Sequence, residues 1–166
     1  NGSDLSVDGT LLGYAVTGGR GGSLSLTSDQ VVLGGTEKKT ESGNFNSPLW
    51  LGNNFFTQGG FSQYTVASNK SGVLVDKDAA LQVSVLNRVL KPSAINKKTG
   101  SDLRGFSDIT LLSEEKRPAG DLSLVLSQKV GFGGKDAAIR VGEGASIRTD
   151  ARGKLSLTSD GNIEIN

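Results

Sequence analysis

The chain has 166 residues, 24 of them Gly, with 35% hydrophobic and 5% aromatic content and no Cys, His or Met. That length allows one domain with a core. The balance of 18 basic and 17 acidic residues excludes the strongly basic face that nucleic acid requires, and the missing Cys and His exclude disulfides, thiol nucleophiles, histidine triads and the usual zinc sites.

In chain order, alternating apolar runs predict strands at Asp4–Val7, Leu11–Val16, Ser23–Thr27, Gln30–Leu33, Gln63–Ala67, Gly72–Val75, Leu81–Leu86, Asp108–Leu112, Asp121–Ser127, Ala138–Val141, Ser146–Arg148, Lys154–Thr158 and Asn162–Ile165. Each alternates with period two, which places one set of side chains on each face. The best helical candidate is Asp78–Val89, yet Leu81, Val83 and Val85 alternate with Gln82 and Ser84, which favours a strand. Glycine pairs such as Gly18-Gly19, Gly34-Gly35 and Gly59-Gly60 punctuate the runs and supply turns. No apolar stretch has the length of a membrane helix. The opening Asn1-Gly2-Ser3-Asp4 has neither the basic start nor the apolar core of a signal peptide.

The string Leu-Ser-Leu-Thr-Ser-Asp occurs twice, at Leu24–Asp29 and Leu155–Asp160, with looser relatives at Asp4-Leu5-Ser6-Val7, Asp121-Leu122-Ser123-Leu124 and Ala145-Ser146-Ile147-Arg148. A short strand that returns after small-residue turns marks a repetitive β architecture. Leu5 to Leu24 is 19 residues, Leu122 to Ile139 is 17 and Ile139 to Leu155 is 16. One turn of a three-sided coil takes roughly 17–22 residues. The reading is therefore an all-β solenoid forming a single unit over 1–166. An antiparallel β-sandwich, whose strands recur every 8–12 residues or so, is the alternative. Leu24, Leu26, Leu122, Leu124, Leu155 and Leu157 are expected to point inward and stack, and Leu155→Ala to cost roughly 2–4 kcal/mol. Neither end resembles the capping segment of a repeat protein, so the chain reads as a piece of a longer one.

Two segments break the rhythm. Thr36–Gly60 carries Pro48, Asn-rich patches and the aromatics Phe45, Trp50, Phe55 and Phe56. Val89–Gly105 carries Pro92 and the basic Lys91, Lys97, Lys98 and Arg104. A shorter break is Glu114-Glu115-Lys116-Arg117-Pro118. Phe45, Trp50, Phe55 and Phe56 are the candidate ligand-binding residues, since aromatics on a loop make a contact spot for protein or sugar. The reading favours packing for the cluster, with a ligand-facing remainder centred on Trp50. Asp76 and Asp78 sit two apart, as a carboxylate pair on a strand would, but they flank Lys77 in a turn-like setting. Gly18-Gly19-Arg20-Gly21-Gly22 lacks the Lys-Ser/Thr of a phosphate loop. No catalytic residue, metal ligand or cofactor is assigned, and the reading is not an enzyme.

The strings Gly144-Ala145-Ser146-Ile147-Arg148-Thr149-Asp150 and Gly153-Lys154-Leu155-Ser156-Leu157-Thr158-Ser159-Asp160-Gly161-Asn162-Ile163 resemble the filamentous-haemagglutinin-like large exoproteins that Gram-negative bacteria export by two-partner secretion. Gly21–Leu26 and Gly59–Val66 fit the same style. The resemblance implies a right-handed parallel β-helix with loop excursions, secreted to the outer cell surface through an outer-membrane transporter. Its implied role is adhesion, host interaction or surface signalling, with a host or bacterial surface protein or glycan as partner. The family's secretion domain carries Asn-Pro-Asn motifs. Asn is never followed by Pro here, so the segment corresponds to shaft or downstream region. The alternative function is a β-helical polysaccharide-cleaving enzyme.

Overall fold

The computed structural model describes residues 9–35, 48–127 and 137–166. Over these the chain is all-β. Its strands are β1 (Ser23–Leu33), β2 (Leu49–Leu51), β3 (Gln63–Val75), β4 (Ala80–Gln82), β5 (Asn87–Leu90), β6 (Ser107–Thr110), β7 (Asp121–Leu126), β8 (Ala138–Val141), β9 (Ser146–Arg148), β10 (Leu155–Ser159) and β11 (Asn162–Ile165). Helix among the described residues is limited to short 3-10 turns at Phe55–Thr57, Pro92–Asn96 and Arg104–Phe106. The predicted strand Asp4–Val7 lies outside the described residues.

Seven strands join in one parallel sheet in the order β10-β7-β3-β1-β2, with β8 beside the second half of β3 and β11 beside β8. Parallel pairing also joins β4 to β9. Antiparallel pairing, which a sandwich would need throughout, is confined among the described strands to β5 and β6. Repeated sequence becomes repeated position. Leu24 pairs with Tyr64, Tyr64 with Leu122 and Leu122 with Leu155. Leu26, Val66, Leu124 and Leu157 form the next ladder. Val31, Val73, Ile139 and Ile163 form a third, and Leu33, Val75, Val141 and Ile165 a fourth. Successive strands lie about 4.8 Å apart, so these side chains touch from one strand to the next. Val31, Leu33, Val66, Val73, Val75, Leu122, Leu124 and Ile139 are buried, and with Leu49, Leu51 and Phe56 they make the core.

The predicted coil length needs correction. Ile139 does not stack on Leu122; the residue that does is Leu155, 33 positions on. The 17- and 16-residue steps run between ladders, not along one. Ser23 and its partner Gln63 are 40 residues apart, so loops stretch the spacing further elsewhere. The burial expected of the Leu pairs holds inside the stack, where Leu122 and Leu124 are enclosed, but Leu155 is 41% exposed because nothing described covers the far edge of β10.

A bulge divides the long strands. Ser28 pairs with Ser68 and Gln30 with Gly72, so β3 carries extra residues there. Buried Ser68 pins the bulge by donating from Oγ to the Asp29 carbonyl (2.8 Å) and accepting from the Gly72 N–H (2.9 Å). Gly72 adopts φ +114° against the Ala138 backbone, where a side chain would clash. This joins the two strands predicted at Gln63–Ala67 and Gly72–Val75 into one.

Other predicted boundaries shift for identifiable reasons. Leu11–Val16 is not a strand, apart from Val16 bridging to Arg88. The Gly13 N–H donates to the Gly59 carbonyl at 2.6 Å and its Cα faces the Phe61 ring, so this stretch spends its backbone on loop glycines. Leu81–Leu86 stops pairing as a strand at Gln82, although Val83 and Val85 stay fully buried. The Val83 N–H instead donates to the Arg148 carbonyl and the Ser84 N–H to the Phe56 carbonyl.

The two excursions are also redrawn. Leu49–Leu51, inside the predicted Thr36–Gly60 excursion, pairs with Val31–Leu33 and buries both leucines. The predicted Val89–Gly105 excursion starts earlier and ends later, because β5 and β6 close it as a two-stranded ribbon from Asn87 to Thr110. Arg117 then ties the returning chain down. It donates through Nε to Asp150 (2.8 Å) and through Nη1 to the Leu112 carbonyl (2.6 Å), with the Asp150 side chain only 5% exposed. The hydrogen bond to Asp150 raises the Arg117 pKa further, keeping the guanidinium charged.

Candidate functional site

The aromatic residues predicted as a site separate by position. Phe45 lies outside the described residues. Phe56 is fully buried at the centre of a cluster, with edge-to-face contacts to Phe55 (5.3 Å) and Tyr64 (5.1 Å). Phe61 adds a further edge contact to Tyr64 at 5.9 Å. Such pairs stabilise by about 0.5–1.5 kcal/mol each beyond their burial. The Tyr64 hydroxyl donates to the Gln58 carbonyl at 3.0 Å. Its burial, aided by nearby Tyr14, pushes its pKa far above the ordinary phenol value, so it stays protonated. Gln58 ends the 3-10 turn that starts at Phe55, so the hydroxyl holds the loop that carries the cluster.

Phe55 is half-buried and borders an open cavity of about 450 Å³ lined by Tyr14, Leu24, Phe55, Gln58, Phe61, Tyr64, Leu86 and residues 9–12. The lining is mixed, with apolar Leu and Phe side chains beside the Thr10, Tyr14 and Tyr64 hydroxyls and the Gln58 amide. Trp50 is separate from this cavity. It pairs with Val32 across β1 and β2 and folds its ring over Gly52, half-buried, while neighbouring Leu49 and Leu51 turn to the core. The structure therefore brings Phe55 and Phe56 together and places Trp50 on the opposite strand face from the core.

Sequence reasoning missed the polar face of the ladders. Ser25, Thr65, Ser123 and Ser156 stand in register on four adjacent strands. With Ser23, Gln63, Asp121 and Lys154 they line a shallow groove of about 360 Å³. Ser23 donates to Gln63 at 2.7 Å, and Arg20 reaches Asp121 at 3.4 Å. The signal for it was present: each of these hydroxyls alternates with a stacking Leu, Tyr or Val.

The remaining candidates resolve as turns. Asp76 accepts from the Lys77 N–H, and Asp78 takes a positive φ of 56° in the same turn. Lys77 pairs with Glu143 at 3.5 Å. No group of three or more potential metal ligands occurs among the described residues. In the glycine run, the Gly19 N–H donates to the Val16 carbonyl and the Gly22 N–H to the Gly13 carbonyl. Gly21 packs so tightly on the Gly60 carbonyl that a Cβ would sit 1.8 Å from its oxygen. These contacts make the run a packing turn.

Comparison with known proteins finds no matching family model, no matching curated protein and no matching experimentally determined structure.

Proposed function

We propose that this chain is a length of right-handed parallel β-helix serving as a structural and binding segment of a secreted exoprotein on a Gram-negative cell surface. The observation that carries this reading is the set of ladders shared by β1, β3, β7 with β8, and β10 with β11, with β4 on β9 as a further parallel stack. Parallel strands stacked in register on either side of the bulge suit a stalk, because stability then comes from neighbour stacking and the length is open-ended. The outer-membrane two-partner-secretion transporter would be the export partner of the full-length protein. The contact for a surface protein or glycan would be Phe55 with its cavity, together with Trp50, the partly accessible aromatics among the described members of the predicted site.

The test is attachment of the purified, labelled protein to bacterial and host cell surfaces and to a glycan array. Phe55→Ala and Trp50→Ala are expected to weaken attachment while retaining a β-type far-ultraviolet spectrum. Absence of attachment by the unaltered chain to any of these, or turnover of a polysaccharide on the array, would reject the binding role.

A further inference from the structure

Large apolar side chains left in solvent fall in three places among the described residues, one of them Leu11 and Leu12 at the rim of the cavity beside Phe55. Leu155, Ile163 and Ile165 lie on the outer strands β10 and β11, while Val16, Leu90, Ile95, Ile109 and Leu111 gather on and beside the β5–β6 ribbon. Val16 lies opposite Arg88, and Arg88 opposite Ile109, so the three form a row across one face. Leu90, two residues past Arg88, shares that face. Ile95 is 86% exposed on the 3-10 turn that follows β5.

The same ribbon concentrates positive charge. Residues 87–110 hold five basic residues against two acidic ones, in a chain whose overall charge is +1. Both acids are taken: Asp108 pairs with Lys91 at 3.0 Å and Asp102 with Arg104 at 2.8 Å. Arg88 bonds Ser107 and lies near the Tyr14 ring. Lys97 stacks over Phe106 at 4.0 Å, and Lys97 and Lys98 have no acidic partner among the described residues.

We propose that this ribbon docks on an anionic phospholipid surface, with Ile95 and the neighbouring aliphatics entering the headgroup boundary and Lys97 and Lys98 meeting lipid phosphates. Exposed aliphatics flanked by lysines match the two attractions of an interfacial contact, apolar burial and attraction to anionic lipid. A protein partner is less well served. Residues 87–110 contain no Trp or Tyr, the residues that with Arg anchor protein interfaces, and Ile95 stands on a protruding turn instead of lining a cavity. A fluid bilayer needs no matching shape. The inference rests on the ribbon alone and not on the β-helix reading.

The experiment is co-sedimentation of the whole chain with vesicles of phosphatidylcholine alone and of phosphatidylcholine mixed with phosphatidylglycerol. Binding is expected only to the mixed vesicles and is expected to fall as salt rises. Lys97→Glu with Lys98→Glu should weaken it by at least about tenfold. Ile95→Ser, at an exposed turn that cannot disturb the core, should weaken it several-fold with an unchanged far-ultraviolet spectrum. If the double lysine variant misfolds, Ile95→Ser and the salt series still decide. Equal binding to both vesicle types, no binding to either, or binding that survives both substitutions would overturn the proposal. So would retention on an acidic polymer such as polyglutamate with none on vesicles, which would assign the ribbon to an acidic macromolecule.

Discussion

Leu122 and Leu155 are neighbours in one ladder, yet their surroundings differ. Leu122 is enclosed between β3 and β10, while Leu155 has a strand on one side only. Leu122→Ala is expected to cost about 2–5 kcal/mol through lost burial and a cavity. The roughly 2–4 kcal/mol anticipated for Leu155→Ala drops to about 1 kcal/mol, since an exposed edge residue has less burial to lose. Urea denaturation of both variants checks the ordering, and equal costs would place the open edge elsewhere. At the Gly21 contact, Gly21→Ala should destabilise more than Gly105→Ala, because Gly105 has open space around it and no positive φ. Asp102 supplies the pH prediction. Its hydrogen bonds with Arg104 lower its pKa to about 2 in the folded chain. A depressed carboxylate contributes above its unfolded pKa of about 3.9 and loses that contribution as pH falls through the folded value. An NMR titration should therefore show Asp102 ionised at pH 3.5, and because its ion pair lies in solvent, Asp102→Asn should have little effect on global stability.

At the scale of elements, the buried ion pair and β2 carry the sharpest expectations. Arg117→Met strips Asp150 of its partner while the carboxylate stays enclosed, which should cost about 3–5 kcal/mol. Replacing both, with Asp150→Leu added, should recover part of that loss, because no unpaired charge then remains buried. Calorimetry of the single and double variants distinguishes this from loss of packing alone. Trp50 reports on β2. Half-buried over Gly52 and beside Val32, it should be partly shielded from acrylamide, and Trp50→Ala should lower the melting temperature. Full quenching with unchanged stability would mean that β2 does not hold its place on β1.

Across the whole molecule, the stack gives a predominantly β far-ultraviolet spectrum, with helix well under the typical one third or so. It also leaves β10 and β11 as outer strands, with Ile165 70% exposed and continuing the Leu33–Val75–Val141 ladder. Among the described strands nothing pairs the far edges of β10 and β11, and an open parallel edge with apolar side chains in stacking position invites another strand. Sedimentation should show concentration-dependent self-association, reduced by Ile165→Lys, which places a charge where the ladder would continue. Unchanged association would move the contact to another surface.

Period-two alternation was enough to read the all-β class, most strand positions and the inward set of leucines, because face selection in a strand is local. The repeated Leu-Ser-Leu strands also pointed to leucines that stack, and Leu24, Leu122 and Leu155 do fall in one ladder. Their partners were not legible: Leu122 meets Leu155 and not Ile139, since register depends on loop lengths and on which loops leave the stack. The aromatic segment shows the same limit. Phe55, Phe56 and Trp50 were visible as a cluster in sequence, but only the packing of β2 on β1 and of the Phe55–Thr57 turn under Tyr64 separated a buried ring from accessible ones. The polar groove joins residues far apart in the chain, and the ribbon, though one sequence segment already marked by its lysines, gains Val16 through its bridge to Arg88. Composition supplied their chemistry, and the tertiary fold alone decided which distant residues share a surface, because burial and proximity are properties of the packed chain.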